Sequence, residues 1–315
     1  MAALASGSLV AAESILALTP IAIKKTPLSH NAAIWSRVLS SGALGYLFSK
    51  DRHIHKGEAA GSLGLGLTNL LHIASSYESF RHLPAGQAMS LLYTYPMWIL
   101  VFDSLFGSKS IGARDYLYIG LAAVGSLFLN ADPGTAATSP LVQKPDSRWG
   151  VAMGLLMAIT EAGMHTILRG LGWTDPAKSV WVVNGSAAGW MAAATVAQAA
   201  FTGQVDDFGL RGGTWWDALW LTGFHSLTMF SGYWLRFYAV PRLSVVTYSI
   251  LSYAGLLASY LFGLFFLGER PGWKSLIGAV MILISGILLT INVEDVEKEK
   301  ETGPSKDQNK GKQTE

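Results

Sequence analysis

The sequence predicts an all-α integral membrane protein of ten transmembrane helices, arranged as two inverted five-helix repeats. Three observations carry that prediction. The 315 residues are 50% hydrophobic and only 14% charged, where a soluble chain of this length carries about a quarter charged residues. Leu243 to Gly268 and Ser275 to Val293 contain no Asp, Glu, Lys or Arg, so each run crosses roughly 30 Å of hydrocarbon as a helix rising about 1.5 Å per residue. Two stretches, LLYTYPMWILVFDSLFGSKSIGARDYLYIGLAAVGSLFL at 91–129 and ILSYAGLLASYLFGLFFLGERPGWKSLIGAVMILISGILL at 250–289, also resemble each other.

Taken in order, span 1 covers Ala2 to Ile23. Its basic residues, Lys24 and Lys25, follow the apolar part instead of preceding it, which speaks against a secretory signal. Span 2 runs from Leu28 to Ser49, span 3 from Glu58 to Ser79, span 4 from Pro84 to Phe106 and span 5 from Ala113 to Asn130. Residues 131–148, ADPGTAATSPLVQKPDSR, lack apolar periodicity and join the halves. Span 6 follows at Trp149 to Gly170, span 7 at Ala177 to Phe201, span 8 at Thr214 to Phe237, span 9 at Leu243 to Leu267 and span 10 at Gly272 to Asn292. In the turn between spans 9 and 10, Gly268 ends one helix and Pro271 enters the first turn of the next, with Glu269 and Arg270 in polar surroundings. The tail, 294–315, is charged, has nothing to bury and is expected to be disordered.

The domain plan is therefore a five-helix repeat at 1–130, a connecting loop at 131–148, a second repeat at 149–293 and a cytoplasmic tail. An odd number of spans per half places the copies in opposite orientation, a design that exposes one central site to either side of a membrane in turn. The basic residues of the loops divide almost evenly, with Lys178 and Arg236 counted on the inner side and Lys24 and Arg270 on the outer. The lysine-rich tail tips the balance toward cytoplasmic termini. Glycines cluster inside spans, as in AVGS at 123–126 and IGAVMILISG at 277–286. Such seams let helices approach closely, either within one bundle or as a homodimer contact through spans 5 and 10.

Polar groups at membrane depth are costly unless a cavity or a partner receives them. Glu13 sits mid-span in the opening helix of the first half and Glu161 in that of the second, with His165 four residues after Glu161 on the same face. Asn69, His72 and Ser76 form one polar stripe on span 3. Arg37, Tyr93, Asn184, His225 and Tyr248 complete the candidates. Glu13 has two readings, cavity lining or a brace to Arg37 between spans 1 and 2. With no cysteine in the chain there is neither a disulfide framework nor thiol chemistry, and no spacing suggests a metal, a cofactor or a catalytic nucleophile.

The stretches LTPIAIKKTPLSHNAAIWSRVLSS at 18–41, YESFRHLPAGQAMSLLYTYPMWI at 77–99 and YLFGLFFLGERPGWKSLIGAVMILISGILL at 260–289 resemble the drug/metabolite transporter superfamily, specifically its EamA-type members. The resemblance covers residues 4–292 and is most specific at the LGER turn; the matching turn of the first half, FGSKSIG, lacks the acidic residue. It implies ten helices in two inverted repeats, cytoplasmic termini and a cavity lined mainly by spans 1, 3, 4, 6, 8 and 9. The implied function is a secondary transporter, not an enzyme, moving a small organic metabolite by alternating access with proton coupling or exchange. The expected partners are the lipid bilayer and the solute, with no nucleic acid. Glu13, Arg37, Asn69, His72, Tyr93, Glu161, His165, His225 and Tyr248 are the expected cavity residues. With only Arg37 well inside a span, an amino acid or amine fits better than the alternative, a nucleotide sugar or sugar phosphate. A non-transporting scaffold or receptor is the alternative of another class.

Overall fold

The computed structural model describes residues 2–106, 112–131, 145–203, 213–243, 248 and 251–302. Among them there is no strand, and the α-helices follow the predicted spans closely. The first half contributes α1 (Ala2–Leu16), α2 (Thr19–Lys25), α3 (His30–Phe48), α4 (Ala59–His82), α5 (Ala85–Leu92), α6 (Tyr95–Phe106) and α7 (Ala113–Ala131). The second contributes α8 (Ser147–Leu171), α9 (Pro176–Thr202), α10 (Trp215–Ala239), α11 (Ala254–Leu267) and α12 (Trp273–Thr302).

Spans 1 and 4 are each broken into two helices, and proline explains both breaks. Pro20 has no N–H for the Leu16 carbonyl, and the Thr19 hydroxyl donates to that oxygen instead at 2.7 Å. Pro96 likewise has no N–H for the Leu92 carbonyl, and at this break the Thr94 hydroxyl and amide both turn to the Leu91 carbonyl, at 2.7 and 3.1 Å. In hydrocarbon a freed backbone group has no water to turn to, so at Pro20 the neighbouring Thr19 hydroxyl makes the break tolerable.

Helix ends follow local chemistry. Asp146 caps α8 by accepting from the Arg148 and Trp149 amides, and Asp175 caps α9 ahead of Pro176. Gly172, Gly203 and Gly268 close their helices at φ of 63°, 67° and 66°, a left-handed conformation that glycine adopts without a Cβ penalty. Gly268 thus ends span 9 as expected. Two expectations need correction. Pro271 precedes α12 instead of entering its first turn, since α12 begins at Trp273. The same helix continues to Thr302, past the expected start of the tail at Glu294. Residues 303–315, the greater part of the connecting loop (132–144) and much of the start of span 9 lie outside the described residues.

The bundle has its polarity turned inside out. On α4, Leu63, Leu67 and Leu71 face outward, while Asn69, His72 and Ser76 are buried. The same holds across the molecule. Glu13, Arg37, Glu161, His225 and Arg236 are buried, and Leu127, Leu227, Phe265 and Val280 are exposed. A water-soluble core would be arranged the other way round. Ala3–Lys25, Ser147–Leu171 and Pro176–Thr202 are long and apolar enough to cross a membrane, and Ala254–Leu267 and Trp273–Leu288 are shorter apolar helices. Span 4 is cut into pieces of 8 and 12 residues by its break, and span 3 carries the buried polar stripe of Asn69, His72 and Ser76. The chain is an integral multi-pass membrane protein.

Each end of the bundle is tied by ion pairs between the halves. At one end Lys24 of α2 meets Glu269, in the turn after α11, at 2.8 Å, and Glu269 accepts from the Ala85 amide at the start of α5 at 2.7 Å. The expected polar surroundings of Glu269 are in fact a buried pocket, and Lys24 is buried with it. At the other end Lys178 of α9 reaches Asp51 at 2.6 Å and Glu58 at 3.2 Å. The Lys178 ammonium, with the His53 amide, holds the Asp51 carboxyl below its ordinary pKa. Along the outside, α7 packs on α12 through facing glycines. A Cβ on Gly125 would fall 2.8 Å from the Gly278 carbonyl oxygen, so this small-residue seam serves packing inside the bundle.

Candidate functional site

The two mid-span carboxylates meet, and the group between them is an arginine. Arg236, near the end of α10, donates from Nη1 to Glu161 Oε1 at 2.6 Å and places Nε 2.9 Å from Glu13 Oε1. The same Nε–H is directed at the Tyr248 hydroxyl, 3.0 Å away, so Glu13 Oε1 receives charge but no aligned hydrogen bond. The other oxygen of Glu13 accepts from Tyr93 at 2.8 Å. His165 lies 3.4 Å from Glu161 Oε1, as the four-residue spacing predicts, and its ring stacks on Tyr95 at 5.2 Å. His72 donates from Nδ1 to the Met157 carbonyl at 3.2 Å and approaches Glu161 Oε2 at 3.5 Å.

These groups come from α1, α4, α8 and α10, from the break in span 4 and from Tyr248 of span 9. The break after α5 frees Tyr93 to turn toward Glu13. Tyr253, just before α11, lies 5.5 Å from the Tyr93 ring. Gly255 permits the crossing, because a Cβ there would collide with the Tyr93 hydroxyl and come within 3.1 Å of the Glu13 carbonyl oxygen.

A second polar group adjoins the first. Arg37 donates to the Tyr233 hydroxyl at 3.0 Å and stands over the Tyr233 and Tyr77 rings at 5.4 and 6.0 Å. His225 hydrogen-bonds to Ser36 at 3.0 Å and to Tyr77 at 3.1 Å. Between the two groups lies a cavity of about 40 Å³ lined by Glu13, Arg37, His72, Ser76, Glu161 and Arg236, with Met89, Met157 and Met229 among its apolar walls. It has room for about three waters, at roughly 10–15 Å³ each.

Of the nine expected site residues, Glu13, Arg37, His72 and Glu161 line this cavity. Tyr93, His165 and Tyr248 support its carboxylates and its arginine, and His225 holds the wall behind Arg37. Asn69 is elsewhere, with its amide directed at the Val183 carbonyl at 3.3 Å and Asn184 Oδ1 at 3.5 Å; it joins α4 to α9. The proposed brace from Glu13 to Arg37 is not formed, because Glu13 is taken by Arg236 and Tyr93. The charge count places Arg236 in a loop and leaves Arg37 as the one basic residue well inside a span; the structure corrects both, with Arg236 buried on α10. Its signal was present in the sequence: Leu221, His225, Met229, Gly232 and Arg236 recur at intervals of three and four, and all are buried on one face of α10.

Comparison with known proteins agrees with this architecture. Residues 148–291 match the EamA-like transporter family, so the second half of the chain carries an EamA-like transporter domain, consistent with the drug/metabolite transporter superfamily. No curated protein matches the chain by sequence. Among solved structures, a crystal structure described only as that of a protein aligns over 94% of this chain and 98% of its own, with 16% identity and a TM-score of 0.50, a likeness of fold.

Proposed function

We propose that this protein is a secondary transporter that moves a small organic metabolite, an amino acid, amine or related solute, by alternating access. The observation that carries the reading is the Glu13–Arg236–Glu161 cluster. It brings the opening helices of the two halves together on a charged centre deep in a bundle whose exterior is apolar. Charged groups are kept at such depth where they serve a pathway or a coupled binding step. The contacts also support inverted halves. The end of α2 and the start of α8 lie at the same end of the molecule, where the Asp146 amide donates to His82 beside the end of α4 at 2.9 Å. Spans 1 and 6 therefore run in opposite directions. On this reading the chain has ten spans with both termini on the cytoplasmic side.

Coupling follows from the same cluster. Two carboxylates share one guanidinium, and His72 and His165 flank Glu161. A proton or a cationic group arriving at Glu161 changes the partner that Arg236 holds, and exchange or proton coupling needs such a change. Glu161→Gln keeps the shape and leaves Arg236 its contact with Glu13. In proteoliposomes, counterflow of labelled amino acids and polyamines, tested in turn, is expected to fall at least tenfold in this variant and to lose its pH dependence. Folded Glu161→Gln protein with unchanged flux and pH profile would contradict the assignment.

A further inference from the structure

We infer that Arg37 is the anchor for a carboxylate group on the solute. The inference deepens the transporter reading and rests on it for the role of the cavity as the solute site. A charge inventory of the interior leads to it. Five basic side chains are buried among the described residues: Lys24, Arg37, Arg81, Lys178 and Arg236. Four have a carboxylate within 4.0 Å: Lys24 has Glu269, Arg81 has Glu78, Lys178 has Asp51 and Glu58, and Arg236 has Glu13 and Glu161. Arg37 has none among the described residues. It is 3% exposed, its neighbours are the hydroxyls and ring faces of Tyr77 and Tyr233, and its Nε–H meets no acceptor.

A buried guanidinium without a counter-ion is costly, whereas one that receives a carboxylate through two parallel N–H groups forms one of the strongest pairs a protein offers. Arg37 lines the cavity, so the missing acceptor has a place to come from. The carboxylates of the site do not fill that need, because both are held by Arg236. An amine without an acid group meets only carboxylates whose charge Arg236 already shares, while an acid finds Arg37 without a counter-ion. Across the same cavity, Glu161 Oε2 also lacks a hydrogen-bond donor, so an ammonium on the solute has a second point of attachment. The unbranched methionine side chains of the wall yield to an apolar body of varied shape. The solute class is therefore a small monocarboxylate with an apolar body, with or without an α-amino group.

The test uses the purified full chain in detergent and three probes of one shape: L-leucine, 4-methylpentanoate and 3-methylbutylamine. Binding is read by calorimetry and by the shift in thermal unfolding that any ligand of the folded state produces. The two carboxylates are expected to bind at least tenfold more tightly than the amine. Arg37→Gln should abolish both, and Arg37→Lys, which keeps the charge but not the paired geometry, should restore part of the loss. A tenfold loss in Glu161→Gln for L-leucine, with none for 4-methylpentanoate, assigns the amine contact to Glu161. The inference is overturned if the amine binds as well as the acids, if no carboxylate binds, or if folded Arg37→Lys binds as wild type does. The comparison of probes on the wild-type protein decides even where Arg37→Gln does not fold. Arg37-dependent binding with no flux of either acid into proteoliposomes sinks the transporter reading and leaves the Arg37 assignment standing.

Discussion

Replacing Arg236 with Gln is expected to destabilise the folded bundle by about 3–5 kcal/mol, the cost of breaking a buried ion pair by removing one partner. The reason is charge, not shape. Glu13 and Glu161 are both almost fully buried and both rest on this guanidinium, at 2.9 and 2.6 Å. Without it two carboxylates face each other across a small cavity, with Tyr93 and the two histidines as their remaining polar neighbours. Thermal unfolding of the purified variant in detergent measures the loss. Because the damage is uncompensated negative charge, adding Glu161→Gln to Arg236→Gln should recover a large part of it. An Arg236→Gln protein as stable as wild type, or a double variant no better than the single one, would show that the cluster is not held by this pairing.

Lys24→Met is the second large effect, about 2–4 kcal/mol. It removes the ammonium 2.8 Å from Glu269 and leaves that carboxylate buried beside the Ala85 amide. The helix N-terminus at Ala85 retains some stabilisation of the charge, which places the cost below that for Arg236. Lys24 belongs to the first half and Glu269 to the second, so the loss loosens the join between the halves at one end only. Lys24→Met/Glu269→Gln removes both charges and should regain most of the stability, as measured by the same unfolding experiment. Equal stability of Lys24→Met and wild type would mean that the pair contributes nothing.

The spans were legible in the sequence because hydrocarbon makes a simple demand, roughly twenty residues without charge. The breaks at Pro20 and Pro96 are legible in principle from proline alone, but the Thr19 hydroxyl that takes up the freed Leu16 carbonyl is visible only in coordinates. Glu13 and Glu161 stood out as isolated charges in mid-span. Arg236 did not, because a rule that assigns basic residues near span ends to loops cannot see that α10 reaches Ala239 with its small and polar face turned inward. Lys24 falls to the same rule, and Glu269 reads as a turn charge because nothing in the sequence shows Lys24 reaching it. Asn69 departs in the other direction: a polar stripe on a helix also binds a neighbouring helix, and Asn69 meets α9 rather than the cavity.

The central claim is that the cavity between Glu161 and Arg37 opens to each side of the membrane in turn. The chain has no cysteine, so a single one reports without background. Ser76 lines the cavity, is buried, and differs from cysteine by one atom. The decisive measurement is the labelling of Ser76→Cys by a membrane-impermeant maleimide, added to one side at a time in vesicles of known orientation. The account predicts labelling from either side alone, with bound solute slowing both rates. Labelling from one side only, under every solute and pH condition, would describe a one-sided pocket and contradict alternating access.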